Sequence, residues 1–242
     1  MKIRGERECT ACGTRWSYYE TGSVGCPACG SLRSVGRDER SRHTDLPATL
    51  DLSGVHADID EASISVVAER VVEPCRAYLR RRGFISGGEL LPLDDRYLAA
   101  VELRHAADVL ARTRSPTDRE QLYFLELLQG AEAGDRPDAA SVPKPLWAVR
   151  GLAVTDAVRT YRGDVQTWCD DHEGTDRPAD RRLIEALGDH LTRIRLLDGD
   201  VDPQTAEALV ETIRDLHRGL TERDDEASQR ARERFEELDD RR

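Results

Sequence analysis

Residues 9–13 read CTACG and residues 26–30 read CPACG, so the chain opens on a C-x2-C-x13-C-x2-C pattern. Two residues between paired thiols let a tight turn aim both sulfurs at one point. Gly13 and Gly30 follow the second cysteine of each pair, where the backbone must fold back and a residue without Cβ is favoured. Between the pairs, RWSYYE and then TGSVG predict a strand, a turn and a return strand. The opening MKIRGERECT has no apolar run, which argues against a secretory leader and for the cytoplasm. In that compartment such cysteine spacing reads as a metal site and not as a disulfide framework. Cys9, Cys12, Cys26 and Cys29 are the candidate ligands.

Residues 9–30 resemble a zinc ribbon of the kind found in transcription factor IIB, and the CPACG half resembles a rubredoxin knuckle. The resemblance covers residues 1–36. It implies one zinc per chain in a closed, four-coordinate structural site. Iron is the rival metal, because similar four-thiolate modules are fused to di-iron helical bundles in rubrerythrins. So short a module cannot hold itself with an apolar core alone, so the metal must supply much of its stability.

Arg15, Trp16, Tyr18 and Arg33 carry two readings. The aromatics can pack over the sulfurs as a small core. Alternatively, the four residues can form a face for docking a partner or stacking on nucleotides.

The charge is divided unevenly. Residues 1–36 hold five cations (Lys2, Arg4, Arg7, Arg15, Arg33) and three anions (Glu6, Glu8, Glu20), leaving +2 there and −13 on the rest of a chain whose total is −11. An acidic bulk argues against a protein that coats nucleic acid, so any such contact would fall on the ribbon. No stretch approaches the roughly 18 apolar residues of a membrane span. Only two cations are Lys, Asn is absent, and 26 Asp and 21 Glu are present. This composition resembles that of proteins from extremely halophilic archaea, where surface acidity is thought to preserve solubility.

Beyond the ribbon, residues 37–55 read as a linker, in which LPATLDL can lie along the following domain as a strap. From 56 to 221 the apolar spacing is helical and predicts an all-α bundle of about six helices. The first spans 58–82, with Ile64, Val67, Val71, Cys75 and Tyr78 on one stripe and a kink expected at Pro74. GFISGGELLPL reads as a loop. A second helix, capped by Asp94 or Asp95, runs to about 112. A third starts at Ser115-Pro116, and its LYFLELL (122–128) predicts a central position. Pro145 opens the fourth, to about 171, with Trp147, Val154, Val158, Tyr161, Val165 and Trp168 on its seam. The fifth spans about 178–197 and the sixth begins at Asp202-Pro203. These last three are expected side by side, with short loops at 172–177 and 198–202. Residues 222–242 read as a charged helical extension or tail.

Catalytic signatures are sparse. The chain lacks a phosphate-binding loop motif, G-x-S-x-G, H-E-x-x-H and a dinucleotide fingerprint. Glu102-x-x-His105 places a carboxylate on the apolar face of the second helix and a histidine at its edge, and Glu126 is embedded in the third. Di-iron bundles need two such Glu-x-x-His pairs, and here only one exists. The structural reading has Glu102 and Glu126 paired with Arg from another helix. Cys169-x-x-His172 needs two further ligands to bind metal, so Cys169 reads as a packed thiol.

Three functions compete. The first is a non-enzymatic adaptor or regulatory module that contacts a protein, or a nucleic acid, through the ribbon, with the acidic bundle as a platform or an oligomerisation element. The second is a rubrerythrin-like redox protein with iron in the four-cysteine site. The third is an enzyme with a pocket around Glu102.

Overall fold

In the computed structural model, residues 1–57, 59, 61–172, 174 and 177–240 are described. Asp58 and Asp60, at the head of the expected first helix, lie outside the described residues. So do Glu173, Thr175 and Asp176 in the expected 172–177 loop, and Arg241 and Arg242.

The N-terminal part is built from β1 (Lys2–Ile3), β2 (Glu6–Cys9), β3 (Arg15–Ser17), the single helical turn α1 (Tyr18–Thr21), β4 (Ser34–Gly36) and β5 (Ser41–Arg42). β2 is the central strand of a three-stranded antiparallel sheet ordered β3-β2-β4. Arg7 lies opposite Trp16 on one side and Gly36 on the other. The expected return strand within the 13-residue insert does not form. After three residues of strand the chain coils into α1, which Gly22 ends in the left-handed region at φ 61°. The strands that pair with β2 lie before the insert's turn and after the second cysteine knuckle.

β1 and β5 form a separate two-stranded ribbon. Beyond it, residues 44–52 run along the helical body. Thr44 N–H donates to Ile85 O (2.8 Å), Leu46 N–H to Arg81 O (2.8 Å) and Leu52 N–H to Glu132 Oε1 (2.6 Å). Leu50 and Leu52 are buried in the main core. The strap is held because its apolar residues enter the core while its backbone polar groups find partners on the body.

The body comprises α2 (Ser53–His56), α3 (Ile64–Leu79), a hairpin of β6 (Ile85–Ser86) and β7 (Glu89–Leu90), α4 (Asp95–Leu110), α5 (Asp118–Gly130), two 3₁₀ turns (Ala139–Ser141 and Lys144–Leu146), α6 (Trp147–Asp171), α7 (Pro178–Leu196), α8 (Pro203–Thr221) and α9 (Asp225–Asp240). It is more helical than the expected six helices, although the layout of small strands followed by helices agrees. α3 begins at Ile64 and continues through Pro74. The GFISGGELLPL segment is a hairpin, because Gly87 and Gly88 accept positive φ at its turn. α5 begins later than expected. Thr117 and Glu120 form a reciprocal capping box, which satisfies two orphan N–H groups and outcompetes Ser115-Pro116 as the start.

α6 is the shared neighbour of α4, α7 and α8, and α9 packs on α8 and α7. The expected side-by-side trio is thus replaced by a cluster with α6 at its middle. Gly151 explains one close approach. A Cβ there would lie 2.1 Å from Gly199 O, so the α7–α8 turn crosses α6 where neither chain has a side chain. α9 buries Ala227, Ala231, Phe235 and Leu238. Their spacing of three or four residues makes an apolar stripe that its many charges obscure in the sequence. No helix among the described residues is long and apolar enough to cross a membrane.

Candidate metal centre

Each cysteine pair folds into the same knuckle. Cys9 N–H donates to Thr14 O and Gly13 N–H to Cys9 O, both at 2.9 Å. In the second knuckle, Cys26 N–H donates to Ser31 O and Gly30 N–H to Cys26 O, also at 2.9 Å. Gly13 and Gly30 sit at φ 74° and 69°, where a Cβ would be strained. The first knuckle leaves β2 and the second precedes β4, so the sheet carries both to one place.

The four Sγ atoms lie within 4.8 Å of one another. Cys9 and Cys29 are 3.7 Å apart and Cys12 and Cys26 3.6 Å apart. Four thiolates on a tetrahedral ion with metal–sulfur bonds of about 2.3 Å would stand roughly 3.8 Å apart. The four cysteines are unbridged, and their arrangement can hold a metal ion. Cys9 and Cys26 are buried, whereas Cys12 and Cys29 reach the surface. Ala11 N–H points at Cys9 Sγ (3.4 Å), and such amide donors stabilise thiolate charge. Hydrogen bonds from the Thr14 side chain and backbone pull the Cys12 thiol down to about 6. Cys29 is raised to about 12: the Ser31 amide lowers it, but the three neighbouring thiols outweigh that effect. Four sulfurs so close cannot all ionise without a cation among them.

Trp16 is buried with Cys9 and Cys26, and its indole N–H donates to Ser23 O (3.0 Å). Tyr18 is half-buried beside His43. Arg15 is exposed and pairs with Glu8 at 2.9 Å, and Arg33 is exposed. The four residues therefore do not present one continuous face, because Trp16 turns inward. The module is tied to the body through Asp171 at the end of α6, which accepts Lys2 Nζ (2.8 Å) and Arg42 Nε (2.8 Å).

The structure does not bring Glu102, His105 and Glu126 together. Glu126 is exposed on α5, which corrects its expected burial. The LYFLELL segment has an outer face, on which Leu122 is 58 % exposed. His105 Nε2 instead meets Asp156 Oδ2 (3.0 Å). Glu102 is fully buried and saturated. It accepts Arg150 Nε (2.6 Å), Arg136 Nη1 (3.3 Å) and the Tyr123 hydroxyl. Arg136 and Arg150 also bind Glu207, at 2.9 and 2.5 Å. Two guanidiniums thus meet two carboxylates. Burial alone would raise Glu207, but Arg136 and Arg150 hold it below the usual carboxylate range. Tyr123 is pushed well up, by burial first and then by the Glu102 charge.

Arg136, Arg150, Tyr123 and Glu207 are missing from the sequence reading. Arg150 carried a signal. It lies three residues after Trp147 and four before Val154, a cation on an apolar seam. Cys75 is buried, and burial pushes its thiol up to about 12. His172 stacks on Trp168 (4.5 Å) and is bonded to Trp168 O, beside the buried Cys169. Among the described residues the four N-terminal cysteines are the one group placed to hold a metal.

The fold and this site define a helical protein with an N-terminal pair of cysteine knuckles. The chain belongs to a family of unknown function (DUF7117), whose profile matches residues 1–235. No curated protein and no solved structure gives a significant match.

Proposed function

We propose that the protein is a non-enzymatic adaptor in which a zinc-bearing ribbon, residues 1–36, contacts a protein partner. The observation that carries this reading is the position of the four-sulfur cluster at the surface of a module with unusual apolar exposure. Leu32 is 75 % exposed, Val24 48 % and Val35 46 %. Four thiolates close a tetrahedral coordination sphere, so the ion would be structural and would hold those side chains in place. Zinc suits this role because it has no redox chemistry. Exposed apolar side chains favour a protein over nucleic acid, and Arg15 is already engaged by Glu8.

Elemental analysis of the purified chain tests the metal, with one zinc and no colour expected. A coloured protein with iron overturns the zinc assignment and favours the redox reading. Capture from native cell extract in concentrated potassium chloride tests the adaptor role, using wild type beside Leu32→Asp. A protein retained by wild type and lost with Leu32→Asp, at equal zinc content, is expected. Equal retention by both, or retention of nucleic acid alone, overturns it.

A further inference from the structure

A cavity of about 350 Å³ opens between α3, α4 and α6. Arg76 and Arg80 enter it from the end of α3, Arg104 from α4 and Arg159 from α6. The one acidic residue in its lining is Asp156, and its apolar wall is formed by Tyr97, Leu79 and Val101. So cationic a recess is unexpected on a chain whose net charge is −11.

The local charges do not cancel. Asp156 is the shared partner of Arg104 (3.4 Å), Arg159 (3.4 Å), His105 (3.0 Å) and Arg195 from α7. Asp108 stands 3.8 Å from Arg76. Glu73 pairs with Arg80 at 2.7 Å, but both side chains are mostly exposed, so that bond is weak. The Glu102 network, with two guanidiniums on two carboxylates, has no such surplus.

Arg104 is also poorly satisfied. Its Nε is buried and has no hydrogen-bond partner among the described residues. Its Nη2 lies 2.8 Å from His105 Nε2, the same ring nitrogen that stands 3.0 Å from Asp156 Oδ2. That nitrogen can accept from Arg104 or donate to Asp156, but not both. An anion in the cavity would give the Arg104 guanidinium a second acceptor beside Asp156 and free His105 for Asp156.

We propose that this cavity binds a small organic phosphate, its phosphate held by Arg76, Arg104 and Arg159 and its apolar part lying against Tyr97, Leu79 and Val101. Planar guanidiniums suit the paired oxygens of a phosphate. A dianion matches a recess where several cations share one carboxylate. The volume is at the small end of the range for ligand sites, roughly 300–1,000 Å³, and exceeds what an inorganic phosphate needs. Asp156 is held at about 2: burial would raise it, but the hydrogen bonds and charges of His105 and Arg195 outweigh that effect.

The test is calorimetric and ³¹P NMR titration of the full chain with inorganic phosphate and with adenosine monophosphate, at fixed potassium chloride. Saturable binding at one per chain is expected, tighter for the nucleotide. Arg104→Gln should weaken it about tenfold or more, the value of one charge-assisted hydrogen bond. Arg76 is half-exposed, and its described ion pair is the long contact with Asp108. Arg76→Gln should therefore weaken binding without lowering the melting temperature, which keeps the test valid if Arg104→Gln misfolds. No saturable binding, or wild-type affinity in Arg76→Gln, overturns the proposal. Sulfate binding as tightly as the nucleotide overturns the organic-phosphate assignment.

Discussion

Around the four sulfurs, Cys9, Trp16 and Cys26 form the buried apolar cluster, whereas the helical body buries a core that runs from Leu50 to Leu238. The clusters are distinct, and the ion pairs Lys2–Asp171 and Arg42–Asp171 tie the module to the body. The contrast separates two ways of stabilising a chain. Three buried side chains cannot offset the conformational entropy of the N-terminal strands, so a metal held by the four sulfurs would supply the difference. The body has an extended apolar core of its own and carries a buried charge network beside it.

Loss of a metal from the four-cysteine cluster should give the largest effect. If the four cysteines hold zinc as proposed, treatment with a strong chelator, or Cys26→Ser, should unfold residues 1–36. Structural zinc supplies about 10–16 kcal/mol of apparent folding free energy in small modules. Amide resonances of residues 1–36 should collapse to random-coil positions while the far-ultraviolet helical signal persists. Loss of both together would show that the two regions fold as one unit.

A smaller effect, confined to the body, is expected from Glu102→Ala. It strands the buried Arg150 guanidinium, which costs about 3–5 kcal/mol when one partner of a buried pair is removed. Denaturant titration should show an earlier helical transition with metal content unchanged. Arg150 also donates to Glu207 Oε1 (2.5 Å) and to Pro137 O (2.7 Å), so a shift under 1 kcal/mol, as roughly expected for a surface pair, would mean that these two acceptors already satisfy it.

The smallest effect is that of acid on Asp156. Its folded value of about 2 lies below the ordinary 3.8. A depressed carboxylate contributes stability that is fully present above 3.8 and is lost as pH falls towards 2. Asp156→Asn should flatten that limb of the body's stability profile. An unchanged acid limb would show that Asp156 carries none of it.

The cysteine knuckles were legible because each is local. Two ligands three residues apart, followed by glycine, specify their own turn, and the apolar spacing of α4, α6, α7 and α8 is equally local. Sequence also indicated that Glu102 needs an arginine, but not which one. Arg150 and Arg136 lie 48 and 34 residues away, and only the packing of α4 on α6 and the loop after α5 selects them. Glu126 shows the reverse failure. Its apolar neighbours suggested burial, yet Glu126 lies on the exposed side of α5.

The sequence by itself determined the sulfur cluster, the strap and the helical class, because turn chemistry and periodic burial act over a few residues. The tertiary structure alone decided which charges are balanced. It closed two arginines on two glutamates in the core and left three arginines and a histidine around one aspartate, Asp156. Coulomb energy depends on distances between helices and on exposure to water, and neither is written along the chain.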